Sequence, residues 1–172
     1  MNRRRKGASA PGFTLIELLI VIAIIGILAA IAIPNLLNAL QRGKQKRSMA
    51  DIRNLAIAVE SYQVDFNTYP AAASGTCPPA YYNRQGTMAF LDTTSFKNLT
   101  PTYISQPPVT DGWGHPLQYF LSASGSDYGI FCLGRDGKSD EVYTVCGTTT
   151  NFNSDILYFD GTFIQWPEGP QQ

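Results

Sequence analysis

Residues 13–33 read FTLIELLIVIAIIGILAAIAI, one apolar run from Phe13 to Ile33 broken only by Glu17. About 20 residues at ~1.5 Å each cover the ~30 Å hydrocarbon core of a bilayer. In lipid such a segment has to be helical, because a free backbone N–H or C=O finds no partner there. Pro34 closes the run. Proline lacks the N–H that a helix interior uses, so a kink or a locally melted turn is expected near it, with Gly26 as a second weak point.

Working outward, Arg3, Arg4, Arg5 and Lys6 precede the run, and residues 1–12 hold no acid. The net charge of the 172 residues is zero, but those four cations leave nine basic against thirteen acidic residues in the remainder. Arg42, Lys44, Lys46 and Arg47 then form a basic neck, and after Ser48 five basic residues face twelve acids. An acidic head argues against nucleic acid as a partner, since phosphate binding needs clustered Lys and Arg. The neck reads as a solvated or lipid-facing stretch beside a membrane.

The N-terminal layout has two ordinary explanations. A secretory signal peptide would pair the basic start with a small-residue cleavage site at Ala30-Ile31-Ala32, but signal cores run about 7–15 residues and this one is longer. A plain anchor explains the length and leaves Glu17 without a reason. An ionisable residue inside a membrane segment is a functional candidate and needs a partner.

The stretch Gly12-Phe13-Thr14-Leu15-Ile16-Glu17-Leu18 resembles the prepilin peptidase recognition site of type IV pilins and type II secretion pseudopilins. The resemblance implies cleavage between Gly12 and Phe13, then N-methylation of Phe13. Glu17 and Pro34 stand where the family pattern has its acid and its proline. Cleavage creates a cationic amine at Phe13, and burying it or the Glu17 carboxylate unpaired is costly. Pairing Glu17 of one subunit with the Phe13 amine of its neighbour lowers both costs and sets axial register. The leader cations favour a cytoplasmic N-terminus, while the neck puts as many cations on the other side. The resemblance supports N-in, C-out.

Beyond Pro34, Met49, Ile52, Leu55, Val59, Tyr62 and Phe66 recur at steps of three and four. That spacing predicts one buried helix face running to about Asn67, where Thr68-Tyr69-Pro70 ends it. Together the two helical stretches cover about 55 residues, roughly 80 Å. Residues 71–112 show little periodicity and read as a loop-rich connection with a short helix at Ser95–Leu99. Strand-like pieces follow at Pro116–Ser122, Tyr128–Leu133, Asp155–Phe159 and Gly161–Gln165, the last two as a hairpin around Asp160-Gly161. The expected fold is α+β: a long N-terminal helix, transmembrane in its first half and amphipathic in its second, packed on a small antiparallel sheet. The boundaries are a basic leader at 1–12, a transmembrane and assembly helix at 13–34, its amphipathic continuation at 35–67, and a periplasmic head at 68–172.

The head carries a second resemblance. Asp111-Gly112-Trp113-Gly114-His115-Pro116-Leu117-Gln118-Tyr119 is similar to the DPWGNPYQY stretch of major pseudopilins of type II secretion. Residues 128–137, YGIFCLGRDG, resemble their YDIFSLGADG stretch. Gly112 and His115 replace that family's Pro and Asn, and Cys132 its Ser. The 71–107 insertion and the tail after Asp155 also depart from it. The resemblance implies calcium in the following loop, and Asp136 and Asp140, with Asp155 downstream, are the candidate ligands. Calcium takes six to eight oxygens, so closely spaced acids in a Gly-containing loop suit it in type. A solvated acidic turn is the alternative.

The cysteines are Cys77, Cys132 and Cys146. An odd number leaves at least one unpaired within the chain. Cys132–Cys146 is the first-choice bridge, because both lie in one loop-rich region of a periplasmic head. Pairing of either with Cys77, or three free thiols, stays open.

Enzyme readings are weak. His115, the only histidine, sits among turn residues, and GRDGKS at 134–139 has its glycines too close for a phosphate loop. Trp113 and Trp166 read as packing residues. The expected function is therefore structural: a pseudopilus subunit of a type II secretion system, with a type IV pilin of a surface filament as the alternative. A secreted binding domain or enzyme behind an unusual signal peptide is the reading from another class. The resemblance implies copies of itself, minor pseudopilins, an inner-membrane platform with its ATPase and a prepilin peptidase as partners. The expected location is the inner membrane, with the head in the periplasm.

Overall fold

The computed structural model describes residues 12–71, 86–90, 96–139 and 147–169. One helix, α1, runs Leu15–Phe66. Six strands follow: β1 Gly86–Phe90, β2 Gln118–Ser122, β3 Tyr128–Cys132, β4 Gly147–Thr149, β5 Ile156–Phe159 and β6 Thr162–Pro167. The chain divides into two compact units at Leu37/Asn38.

The helix is closed at both ends by its own sequence. At the start, Thr14 Oγ1 accepts the Glu17 N–H at 3.2 Å, while Glu17 Oε2 accepts the Thr14 N–H at 2.9 Å and the Thr14 hydroxyl at 2.7 Å. This Thr-Leu-Ile-Glu arrangement is a capping box, which satisfies donors that a helix start leaves open. At the other end Asn67 turns left-handed (φ 54°) and donates its N–H to Gln63 O at 2.7 Å, as a C-terminal cap requires.

The melted turn expected at Pro34 does not occur, for α1 is unbroken through it. Asn35 Nδ2 donates to Ile31 O at 3.1 Å, so a side chain adds a donor beside the place where Pro34 offers none. Gly26 likewise lies within the helix.

In the second unit α1 packs on one face of the sheet. Ile52, Leu55, Ala56, Ala58 and Val59 meet Leu117, Tyr119, Tyr128, Ile130, Cys132, Ile156 and Tyr158, with Phe96 and Leu99 from the connection. The expected stripe holds at Ile52, Leu55 and Val59, while Met49 and Tyr62 are partly buried. Phe66 departs from it and is 58 % exposed. The opposite face of the sheet has a smaller cluster of Phe120, Phe131 and Leu157, covered in part by Phe159 and Ile164. The period-two alternation of strands explains why Phe120 and Phe131 sit opposite Tyr119 and Ile130.

The strand order is β1-β2-β3-β5-β6-β4. Neighbours are antiparallel except β4 and β6, which are parallel, so the expected antiparallel sheet carries one parallel edge. The β5–β6 hairpin turns at Asp160 and Gly161, both at positive φ, the backbone that a two-residue hairpin favours. Residues 96–103 form turns, with Leu99 N–H on Phe96 O and Tyr103 N–H on Leu99 O, instead of the short helix expected at 95–99.

Candidate functional site

The residues singled out by sequence lie in three places. The first is the N-terminal unit. Its large apolar side chains, from Phe13 through Ile33, are 45–80 % exposed, and Leu36 and Leu37 continue the surface at 60 % and 53 %. Among the described residues α1 is the one helix long and apolar enough to cross a membrane, and its most apolar window is entirely unburied. Apolar surface of this extent is far beyond what a soluble monomer leaves in water, so it requires lipid or other helices around it. Glu17 sits at its beginning, held by Thr14 through the capping box. The sequence reading missed that local role, although the Thr-x-x-Glu spacing is its signature.

The second place joins the start of the amphipathic half to the loop before β2. Asp111 is 3 % exposed. Its Oδ1 accepts the N–H groups of Trp113 at 2.9 Å and His115 at 2.8 Å, folding the Asp-Gly-Trp-Gly-His turn around itself. The thiol of Cys132 donates to Oδ2 at 3.2 Å, and His115 Nδ1 lies 3.6 Å from Oδ2 and 3.0 Å from Gly134 O. From α1, Ser48 Oγ accepts the Gly112 N–H at 2.9 Å, and Gln41 Oε1 accepts the Trp113 indole N–H at 2.6 Å. This loop therefore latches to the helix by polar contacts at the edge of the apolar core. His115 is a turn residue whose ring packs beside Gly137.

Of the expected Cys132–Cys146 bridge, one member lies among the described residues. Cys132 is a free thiol, fully buried in the core. Burial, then the neighbouring Asp111 carboxylate, push that thiol's pKa well up, so it stays protonated and unreactive at neutral pH. Cys77 and Cys146 lie outside the described residues.

The third place is the acidic loop. Asp136 is exposed and its Oδ1 accepts the Lys138 N–H at 3.1 Å, which closes a local turn. Asp155 is fully buried just before β5, where its backbone oxygen accepts the Gln165 amide at 2.9 Å. Among the described residues no three His, Cys, Asp or Glu side chains gather as metal ligands. Asp136 and Asp155 by themselves do not fit calcium, which needs six or more oxygens. Asp140 and Glu141 lie outside the described residues.

Comparison with known proteins agrees with this arrangement. Residues 9–33 match the model of the prokaryotic N-terminal methylation motif. Residues 35–145 match the family model described as type II secretion system (T2SS), protein G. The type II secretion system core protein G of Pseudomonas aeruginosa is 30 % identical over 148 residues, covering 80 % of this chain and 89 % of that one. Core protein G of Aeromonas hydrophila is 33 % identical (81 % of this chain, 90 % of the relative), and that of Vibrio cholerae 31 % (80 % and 87 %). The chain belongs to the type II secretion system protein G family, as a structural, non-catalytic pseudopilin subunit whose N-terminal helix is its inner-membrane anchor.

Proposed function

We propose that the chain is made as a precursor, cut between Gly12 and Phe13, methylated at the new Phe13 amine and polymerised through α1 into a periplasmic pseudopilus. The observation that carries this reading is the exposed apolar surface of the N-terminal unit from Phe13 to Leu37, with Glu17 as the only acid within it. In the membrane lipid covers that surface, and in the fibre the helices of other copies do.

Glu17 has two successive partners in this scheme. In the single subunit Thr14 holds it. On docking, the Phe13 amine of a neighbour offers a charge that a hydroxyl cannot match, and a buried ion pair needs both members. Glu17→Gln should be cut and methylated normally but fail to assemble. Normal fibres from that variant would reject the pairing.

Minor pseudopilins, the inner-membrane platform, its ATPase and the prepilin peptidase are the partners the family supplies. Calcium is proposed only for the loop that holds Asp136 and Asp140. A calcium titration that leaves the melting temperature of the detergent-solubilised chain unchanged would remove it. The functional test compares a deletion strain with its parent. Several exported proteins should vanish from the culture supernatant while surface filaments persist. The opposite pattern would make the chain a surface-filament pilin.

A further inference from the structure

We infer that the basic neck is a headgroup clamp, a site on α1 that selects anionic phospholipid in the leaflet facing the periplasm. The inference rests on the membrane-anchor reading and adds a ligand class to it. Apolar exposure continues to Leu40, and Phe13–Leu40 covers 28 residues, or ~42 Å of helix. A whole bilayer with its headgroups is about 40–45 Å thick. The cations begin two residues later: Arg42, Lys44, Lys46 and Arg47 are all exposed, and no acid occurs between Glu17 and Asp51. Among the ion pairs of the described residues, one involves the neck, Arg47 with Asp51 at 3.5 Å.

The neck also has a receptacle. A cavity of about 380 Å³ lies between α1 and the end of β6, lined by Arg42, Gln45, Lys46 and Met49 on one side and Pro167, Glu168 and Gly169 on the other. Arg42 and Lys46 are one helical turn apart, so both point into the same space. Guanidinium and ammonium groups beside a cavity of that size suit a phosphodiester with its glycerol, and Met49 offers an apolar wall. Glu168 at the rim opposes an anion, and the two cations outnumber it. The head is acidic and is repelled by an anionic leaflet, and the leader cations lie at the other end of the apolar run, so on the periplasmic side such attraction must come from the neck. Each Lys or Arg near an anionic surface contributes about a fivefold gain in binding.

The test uses the full chain reconstituted into phosphatidylcholine membranes containing a trace of spin-labelled lipid. The immobilised fraction of labelled phosphatidylglycerol is compared with that of labelled phosphatidylcholine. The anionic phosphatidylglycerol should be preferred about fivefold or more at low salt, less at high salt. Arg42→Gln with Lys46→Gln should lower the preference at least fivefold, Lys44→Gln with Arg47→Gln should lower it less, and Arg42→Lys should keep most of it. Equal immobilisation of the two lipids around a normally inserted chain would overturn the clamp and leave the anchor standing. Failure of the chain to insert would overturn both. An Arg42→Gln, Lys46→Gln variant that keeps the lipid preference but no longer assembles would also overturn it, and would give the neck to the acidic head of a second copy.

Discussion

Gly112 sits where the loop before β2 comes closest to α1. A Cβ built there runs into the backbone oxygen of Lys44, and its N–H is already spent on Ser48 Oγ. The fit is steric, because Gly112 is not among the residues at positive φ. Gly112→Ala should therefore destabilise the detergent-solubilised chain by about 1–3 kcal/mol through overpacking. A melting temperature equal to the parent's would show that the loop simply moves aside. Gly112→Pro should cost more, because it also removes the N–H and strands the Ser48 contact. The stretch at 111–115 is legible in sequence as a turn, since Asp-Gly is a turn dipeptide. Its latch to Gln41 and Ser48 is not legible, because those residues lie more than sixty positions away and carry no periodic signal. Cys132 shows the same limit. A shared loop-rich region pointed to Cys146, and it gave no sign of the contact that the thiol makes with Asp111, which only the folded sheet brings near. A maleimide should label Cys132 slowly in the folded chain and fast after unfolding.

Elements were legible in proportion to how local their cause is. Most of α1 follows from an apolar run and a stripe at helical spacing, and its C-terminal stop from Asn67 and Pro70. The hairpin at Asp160-Gly161 follows from its turn pair. β1 (GTMAF) escaped because five residues with no alternation look like loop, and β4 (GTT) because three residues are ordered only by pairing with β6. The start of α1 allows a discriminating test of Glu17. Thr14→Ala removes the cap, which is worth ~1 kcal/mol of helix stability, yet leaves the carboxylate for a neighbouring amine. It should fray the first turn, lower the yield of fibres and still assemble. Glu17→Gln should not assemble at all. Equal assembly yields from the two variants, with fraying alike in hydrogen exchange, would mean that capping is the whole role of Glu17.

At the scale of the whole molecule, the head is held by buried aromatic side chains more than by charge. Tyr119 and Tyr128 are fully buried; Tyr128 donates to Glu60 at 2.5 Å and Tyr119 to Pro70 O at 3.2 Å. Burial raises the pKa of both hydroxyls well above the ordinary tyrosine value of 10.0, with the Glu60 carboxylate adding to the effect on Tyr128. Burial also raises Tyr69 and Tyr158, and Cys132 above its ordinary 9.0. The sign of the consequence is fixed. Unfolded, these groups release their protons from about pH 9–10 upward. Folded, they keep them, so the unfolded state binds fewer protons and stability falls as pH rises. Below the ordinary values the groups are protonated in both states, and their contribution is constant. Each group that ionises only on unfolding steepens the loss by ~1.4 kcal/mol per pH unit. The chain in detergent should thus hold its urea midpoint to about pH 9 and lose it steeply beyond. Tyr119→Phe removes one of these protons and should flatten the alkaline limb by about one group's share, whatever it does to the midpoint at neutral pH. If the limb keeps its full slope in that variant, Tyr119 ionises before the chain unfolds, and water reaches a hydroxyl that the packing of α1 on the sheet encloses.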